Sequence, residues 1–193
     1  VWMVNLYNFM DGIDGILGLQ VATVSVSFVV LLLVGGKLEQ VSVYAALIGA
    51  MLGFLYWNWS PAKLFMGDVG SASLGFLLAA LAVWSVVHSE LSLISILILH
   101  AAFIGDATWT LCVRFARGQK VYQAHRSHFY QKLTQRGFSH ARVATVFGVF
   151  NLVWLLPLAW YAEQGTPYSG LFLLLAYLPV VAVCFLSRAG FEQ

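Results

Sequence analysis

Charge is what this chain has least of. Asp, Glu, Lys and Arg make up 9% of its 193 residues, against 61% hydrophobic, and the mean hydropathy is +0.84. Average soluble domains carry about 25% charged residues, so the composition excludes a soluble protein and assigns the chain to the membrane. Cysteine is nearly absent too. Cys112 and Cys184 lie far apart in apolar segments, which excludes a disulfide framework and leaves packing as their role. A net charge of +2 gives no reason to expect a nucleic-acid partner. No signal peptide precedes the first motif, the first residue is Val rather than Met, and the chain reads as the C-terminal part of something longer.

What is present is a series of long apolar runs. Residues 15–36, 40–62, 69–89, 143–162 and 164–187 are free of charge, and 91–113 is interrupted only by Asp106. A helix needs about 20 apolar residues to cross the hydrocarbon core. The expected fold is therefore all-α: a polytopic transmembrane bundle of about six spanning helices, with residues 1–193 forming a single transmembrane domain. Joined mostly by short loops, these spans leave no room for a separate soluble domain.

The few charges are unevenly placed. With six spans, residues 1–14, 57–72, 114–142 and 188–193 share one face of the membrane, and 35–41, 88–90 and 162–168 share the other. Nine of the ten Lys and Arg fall on the first face and only Lys37 on the second. The positive-inside rule makes the first face cytoplasmic, so 114–142 is expected to be a cytoplasmic basic loop. Asp11, Asp14 and Asp68 lie on that face, while Glu39, Glu90 and Glu163 lie on the other. An Asp at the centre of a span costs about 2.5–3.5 kcal/mol; at helix ends beside water the three aspartates avoid most of that and remain free to bind. Asp106, roughly two turns inside Arg114, must be paired with a basic residue or line a wet cavity.

Three stretches carry chemistry. In "N-L-Y-N-F-M-D-G-I-D-G", residues 5–15, Asp11 and Asp14 are three apart and share a face if the first helix begins there; Asn5 and Asn8 repeat the spacing. Such oxygen-rich side chains suit Mg²⁺, which takes few protein carboxylates and fills its shell with water and phosphate oxygens. They also suit the base and ribose of a nucleotide. In "F-M-G-D-V-G-S", residues 65–71, glycines allow close backbone approach, and Ser71 or Ser73 is placed to cap the next helix. The free N–H groups of that helix start favour phosphate. In "A-H-R-S-H-F-Y-Q-K-L", His125 and His128 bracket Arg126 and on a short helix would present one face, able to contact a phosphate or move a proton. Turn residues, an N-cap and attraction to anionic lipid are the plainer readings of the three. Gathered on one membrane face, they favour a functional site.

These residues resemble the polyprenyl-phosphate N-acetylhexosamine-1-phosphate transferases, the family of the phospho-N-acetylmuramoyl-pentapeptide translocase and of the enzymes that start O-antigen synthesis. The motifs appear in the family's order over almost the whole chain. The resemblance implies transfer of an N-acetylhexosamine 1-phosphate from a UDP-sugar to undecaprenyl phosphate, with release of UMP, at the cytoplasmic side of a bacterial inner membrane. It implies Mg²⁺, with Mn²⁺ able to substitute, and it leaves a homodimer open. By position, Asp68 resembles the metal-binding Asp and is carried over as metal ligand and catalytic residue, with Asp11, Asp14 and His128 as the other catalytic candidates. Asn5, Asn8, Asn58, Phe65, His125 and Arg126 are the substrate-binding candidates, Phe65 as the ring on which uracil stacks. Two departures stand out. The family's adjacent Asp-Asp pair is absent, because the chain begins after its position, and a fragment without it is expected to be inactive. His128 is followed by Phe129, Tyr130 and Gln131 rather than by further histidines, a pattern similar to the O-antigen branch.

Three other classes compete. A transporter would hold its ionisable groups near the midplane rather than gathered at one face, and a structural membrane fragment stays open as an alternative. A CDP-alcohol phosphotransferase requires two further aspartates after the first Asp-Gly, where this chain has only apolar residues. The sugar, and the choice between direct attack and a covalent intermediate, stay open on sequence.

Overall fold

The computed structural model describes residues 1–121, 123 and 125–191, and every regular element among them is helical. The elements run α1 (Trp2–Phe9), α2 (Ile16–Val34), α3 (Val41–Asn58), α4 (Gly67–Val87), α5 (Leu93–Leu99), α6 (Ala101–Ala116), α7 (Phe129–Gln135), α8 (His140–Phe150), α9 (Leu156–Glu163) and α10 (Ser169–Ser187). Five stretches are long and apolar enough to cross a membrane as single helices: α2, α3, α4, α10 and the continuous run His140–Glu163. That run joins α8 to α9 through one π-helical turn, Asn151–Leu155. Pro157, which has no N–H to give the ladder, stands just beyond the turn in the first turn of α9. At the start of the π-helical turn, Asn151 Nδ2 donates to Gln20 Oε1 at 2.7 Å and to Thr23 Oγ1 at 2.9 Å.

The sixth expected span, 91–113, is not one helix. It is α5 and α6, bent by 76° at His100. Neither Pro nor Gly sits at the break, so the cause lies in tertiary contacts. The His100 ring is buried against Tyr7 and Phe28, and its Nδ1 lies 3.0 Å from the Ile96 carbonyl. The ring closes off α5 and redirects the chain.

α2 is the hub, with 72% of its spanning window buried against 17% for α10. It packs on α3 and α8, while α1 packs on α4 and α10 on α6 and α9. The α1–α4 crossing is close because Gly75 has no side chain. A Cβ there would stand 2.5 Å from the Met3 carbonyl oxygen, a backbone atom that cannot swing aside. Gly75→Ala is therefore expected to cost about 1–3 kcal/mol and to lower the melting temperature in detergent by about 3–10 °C. An unchanged melting curve would show that α1 can move away from α4.

The two ends of the bundle close separately. At one end Lys37 Nζ donates to the Ser89 carbonyl at 2.8 Å and to the Glu90 carbonyl, and Ser92 N donates to both carboxylate oxygens of Glu163, at 3.2 and 3.0 Å. The loops after α1, α3 and α6 meet at the other end, described below. The odd and even connections thus fall on opposite sides, as the alternation of six spans requires.

At the Lys37 end Glu90 is buried, 6% exposed. Burial first, and then the Glu39 charge, raise its carboxyl above the ordinary carboxylate range, opposed by Lys37 and His88. A carboxyl so raised destabilises the fold once it ionises, so stability falls as pH climbs above that ordinary range. Glu90→Gln is expected to melt about 2–4 °C above wild type at pH 8, and the difference should shrink to nothing near pH 4. A variant less stable than wild type at pH 8 would mean that the carboxylate, not the carboxyl, is the form the fold prefers.

Candidate active site

The first motif folds as a turn rather than a helix. α1 ends at Phe9 and α2 begins at Ile16, with Gly15 between them at φ +77°. Asp11 and Asp14 therefore do not share a helix face, contrary to the spacing argument. They share a cavity instead. It has a volume of about 210 Å³ and is lined by Asp11–Asp14, Asn58 and the 65–68 segment, so that Asp11, Asp14, Asn58, Phe65 and Asp68 come together from three separate stretches of chain.

Each loop is fixed by bonds that local sequence does not reveal. Asn58, buried at the end of α3, accepts from Gly15 N at 2.9 Å through Oδ1 and donates to the Leu64 carbonyl at 2.7 Å through Nδ2. Asp14 Oδ2 accepts from Ala62 N at 3.2 Å and lies 3.3 Å from His140 Nδ1. Both side chains line the cavity and at the same time staple the turn after α1 to the loop after α3.

Asp68 differs. It is exposed in the first turn of α4, and its carboxylate makes no hydrogen bond or ion pair among the described residues. Asp11 is half-buried beside it. Burial first, and then the Asp68 charge, push the Asp11 carboxyl up to about 7. Two acidic groups held this close, one of them unpaired, fit a hard divalent cation that takes one or two protein carboxylates and completes its shell with water and phosphate oxygens. A closed cage does not fit: no three His, Cys, Asp or Glu side chains cluster for a metal among the described residues. Phe65, 71% exposed, forms an open wall of the cavity.

Ser71 and Ser73 do not cap α4. The helix starts earlier, at Gly67, and Ser71 Oγ instead accepts from Asn8 Nδ2 at 3.1 Å and donates to the Asp68 carbonyl at 3.2 Å. Asn8 thus steadies the backbone of Asp68 from α1. Asn5 is exposed on α1 and does not line the cavity.

The 114–142 segment is only partly a loop, since it contains α7 and the adjoining ends of α6 and α8. Ala124 of the histidine motif lies outside the described residues. His125 and His128 precede α7 rather than lying on it, yet their rings still approach to 4.8 Å. His125 Nδ1 pairs with Ser127 Oγ at 3.0 Å, and Arg126 is exposed. His128 is buried, 2% exposed. None of the three lines the cavity. His128 is linked to it through Tyr130, on which its ring stacks at 5.8 Å and whose hydroxyl donates to the Phe9 carbonyl at 2.9 Å. Burial, together with the Asp106 and Asp11 charges, drives that hydroxyl far above its usual value, so it remains a donor.

Three residues were not singled out from sequence as belonging to the site: His140, Tyr130 and Asp106. Only Asp106 carried a signal, as the single charge in its apolar run. Its carboxylate is fully buried: Phe129 N donates to it at 2.9 Å and Tyr130 N at 3.2 Å, and a basic partner it faces is the His128 ring, whose Nδ1 lies 3.5 Å from Oδ1.

Residues 1–86 match the family described as glycosyl transferase family 4. A Bacillus subtilis (strain 168) protein described as a probable undecaprenyl-phosphate N-acetylglucosaminyl 1-phosphate transferase is 30% identical over 192 residues, covering 94% of this chain and 53% of that protein. The phospho-N-acetylmuramoyl-pentapeptide-transferase of Symbiobacterium thermophilum is 34% identical over 159 residues, 82% of this chain and 46% of that protein. That of Limosilactobacillus fermentum is 36% identical over 158 residues, 79% and 47% respectively. The chain spans about half the length of the curated relatives it matches.

Proposed function

We propose, from the match of residues 1–86 to glycosyl transferase family 4, that the protein is a member of that family and moves an N-acetylhexosamine 1-phosphate from a UDP-sugar to undecaprenyl phosphate, as an early step of O-antigen or similar envelope polysaccharide synthesis. A phosphate oxygen of the lipid becomes bonded to the sugar-bearing phosphorus, and the bond from that phosphorus to UMP breaks. The observation that carries the reading is the cavity that gathers Asp11, Asp14, Asn58, Phe65 and Asp68 at one end of the bundle.

Asp68, with Asp11 beside it, would hold Mg²⁺ or Mn²⁺. When bound, the metal neutralises phosphate oxygens whose mutual repulsion otherwise opposes the transfer. The other roles fall to the chain's own groups. The exposed Phe65 ring offers a face for uracil, while Asn8 and Asn58 hold the loops around it. The exposed Arg126 guanidinium supplies positive charge and donors for the two phosphates, and the adjacent histidines offer ring nitrogens for proton movement. A wholly apolar groove of about 210 Å³, lined in part by Phe129, Phe147 and Phe150, begins one residue after His128 and suits the lipid chain of the acceptor. Product analysis decides the matter. Membranes holding the full-length protein, given undecaprenyl phosphate and a panel of UDP-sugars, should release UMP and form lipid-linked sugar with one donor. A transporter would instead move a solute and release no UMP.

The nine-to-one split of basic residues supports a site on the cytoplasmic face of the inner membrane. With Cys112 and Cys184 replaced by Ser, Arg136→Cys is expected to stay protected from an impermeant thiol reagent in intact cells, and Gln164→Cys to react. Both positions are exposed, on opposite ends of the bundle. The reverse pattern would put the carboxylates in a compartment without UDP-sugars and end the proposal.

A further inference from the structure

We propose that Asp106, a carboxylate sealed inside the bent span, is a positioning residue that fixes the orientation and tautomer of His128, so that the two act as one unit toward the substrate phosphates of the transferase reading above.

Asp106 is fully buried in α6, where an unpartnered carboxylate is expensive. It is well partnered. Oδ1 accepts from Thr110 Oγ1 at 3.1 Å and from Phe129 N at 2.9 Å, and Oδ2 accepts from Tyr130 N at 3.2 Å. Two consecutive amides at the start of α7 are thus capped by a side chain 23 and 24 residues earlier. An Asn or Ser could satisfy one of those amides. A carboxylate satisfies both and still faces a ring, because His128 Nδ1 stands 3.5 Å from Asp106 Oδ1.

That last distance is the informative one. His128 Nδ1 is sealed from solvent and makes no hydrogen bond of ordinary geometry, although as the N-cap of α7 the ring also faces the Gln131 backbone N–H; a buried polar group left so is costly. The acceptor it faces is Asp106. Closing the gap by a few tenths of an ångström would make an ordinary charge-assisted bond, and catalytic contacts that are long without substrate commonly tighten when it binds.

The ring has little other freedom. It stacks on Phe9 at 6.5 Å and on Tyr130 at 5.8 Å, with His125 at 4.8 Å. Its backbone N–H donates to Gln131 Oε1 at 3.2 Å, and the preceding residue is held from the C-terminal segment, where Gly190 N donates to the Ser127 carbonyl at 2.8 Å. With backbone and ring plane set, the remaining variable is which nitrogen carries the proton. The carboxylate directs it to Nδ1 and leaves the Nε2 lone pair to accept a proton from a substrate phosphate. The titratable groups around the ring are Asp106 on α6, His125 in the preceding loop and Tyr130 on α7.

The test uses the full-length protein in detergent, with ¹⁵N-labelled histidine and kinetics on the donor found by product analysis. His128→Gln identifies the His128 signals. Wild-type His128 is expected to give the Nδ1–H pattern, and Asp106→Asn to shift it toward Nε2–H. Asp106→Asn should lower kcat by on the order of 10- to 100-fold, the range seen when a histidine's outer partner is removed, with KM for the UDP-sugar within about threefold. Added to His128→Gln it should cost little more, because residues acting as a unit are not additive. An Nε2–H ring in the wild type, or fully additive losses in the double variant, overturns the proposal. The wild-type ring pattern decides it even if Asp106→Asn fails to fold. A protein that transfers no sugar phosphate under any condition would sink the transferase reading, while the ring pattern would still be read.

Discussion

Asp68→Asn is expected to remove turnover, leaving less than about a thousandth of the wild-type rate, while the protein stays folded in the membrane. The first half of this expectation follows from position. Asp68 is the exposed carboxylate of the cavity, set in the first turn of α4, and the amide that replaces it is a poor ligand for a hard cation. Groups that stabilise charge as it develops in a transition state are each worth about 10²–10³ in kcat, and loss of the metal removes more than one such contact. The second half follows from what Asp68 does not do. Its carboxylate makes no hydrogen bond or ion pair among the described residues, and its charge raises the Asp11 carboxyl. Removing that charge relieves a repulsion and breaks nothing, so melting should stay within the small change usual for exposed substitutions. Near-normal transfer would refute the metal assignment. A loss of activity accompanied by an equal loss of stability would move Asp68 from the chemistry to the scaffold.

Gly12→Ala should cost on the order of a hundredfold in rate through a single methyl group. A Cβ on Gly12 would stand 2.2 Å from Tyr130 Oη, 3.1 Å from Tyr130 Cζ and 3.2 Å from Gln131 Nε2. The tyrosine has nowhere to retreat, being fully buried with its hydroxyl bonded to the Phe9 carbonyl. Something must shift, and each candidate carries a part of the site: the Asp11–Asp14 turn on one side, α7 with His128 on the other. A displacement of about 1 Å at the reacting groups can cost a hundredfold. Shortening the obstacle should recover part of the loss. Gly12→Ala combined with Tyr130→Phe removes the 2.2 Å clash, leaves the 3.1 Å contact, and is expected to be faster than Gly12→Ala alone. If the double variant is slower than either single one, the contact between the turn and α7 is not what aligns the site.

The spans and the grouping of their loops at two ends were legible because both follow from the solvent. Hydrocarbon tolerates few charges, so charge-free runs mark α2, α3, α4 and α10 to within a few residues, and the basic residues collect at one end. The bend at His100 was not legible. Residues 91–113 read as unbroken apolar sequence, and what divides them is a ring seated between Tyr7 and Phe28, residues 93 and 72 positions earlier. The site was legible as a list and not as an arrangement. The three-residue spacing of Asp11 and Asp14 suggested a helix face, but Gly15, at φ +77°, opens the chain into a turn, and the two carboxylates meet through a cavity wall. Nothing local marks Asp14 as a partner of Ala62 and His140, and nothing near Asp106 announces the amides of residues 129 and 130. Such bonds join stretches that become neighbours only once the bundle has formed.

The Asp106 cap also imposes an order on biosynthesis. The ribosome makes α6 before it makes residues 129 and 130, so this span reaches the translocon carrying a carboxylate whose backbone donors do not yet exist. Until they emerge, Thr110 is its one partner within α6, and an incompletely satisfied Asp is a reason for a segment to linger at the lipid boundary. A nascent chain stopped before residue 129 would hold α6 without the two amide bonds that its buried carboxylate accepts in the fold.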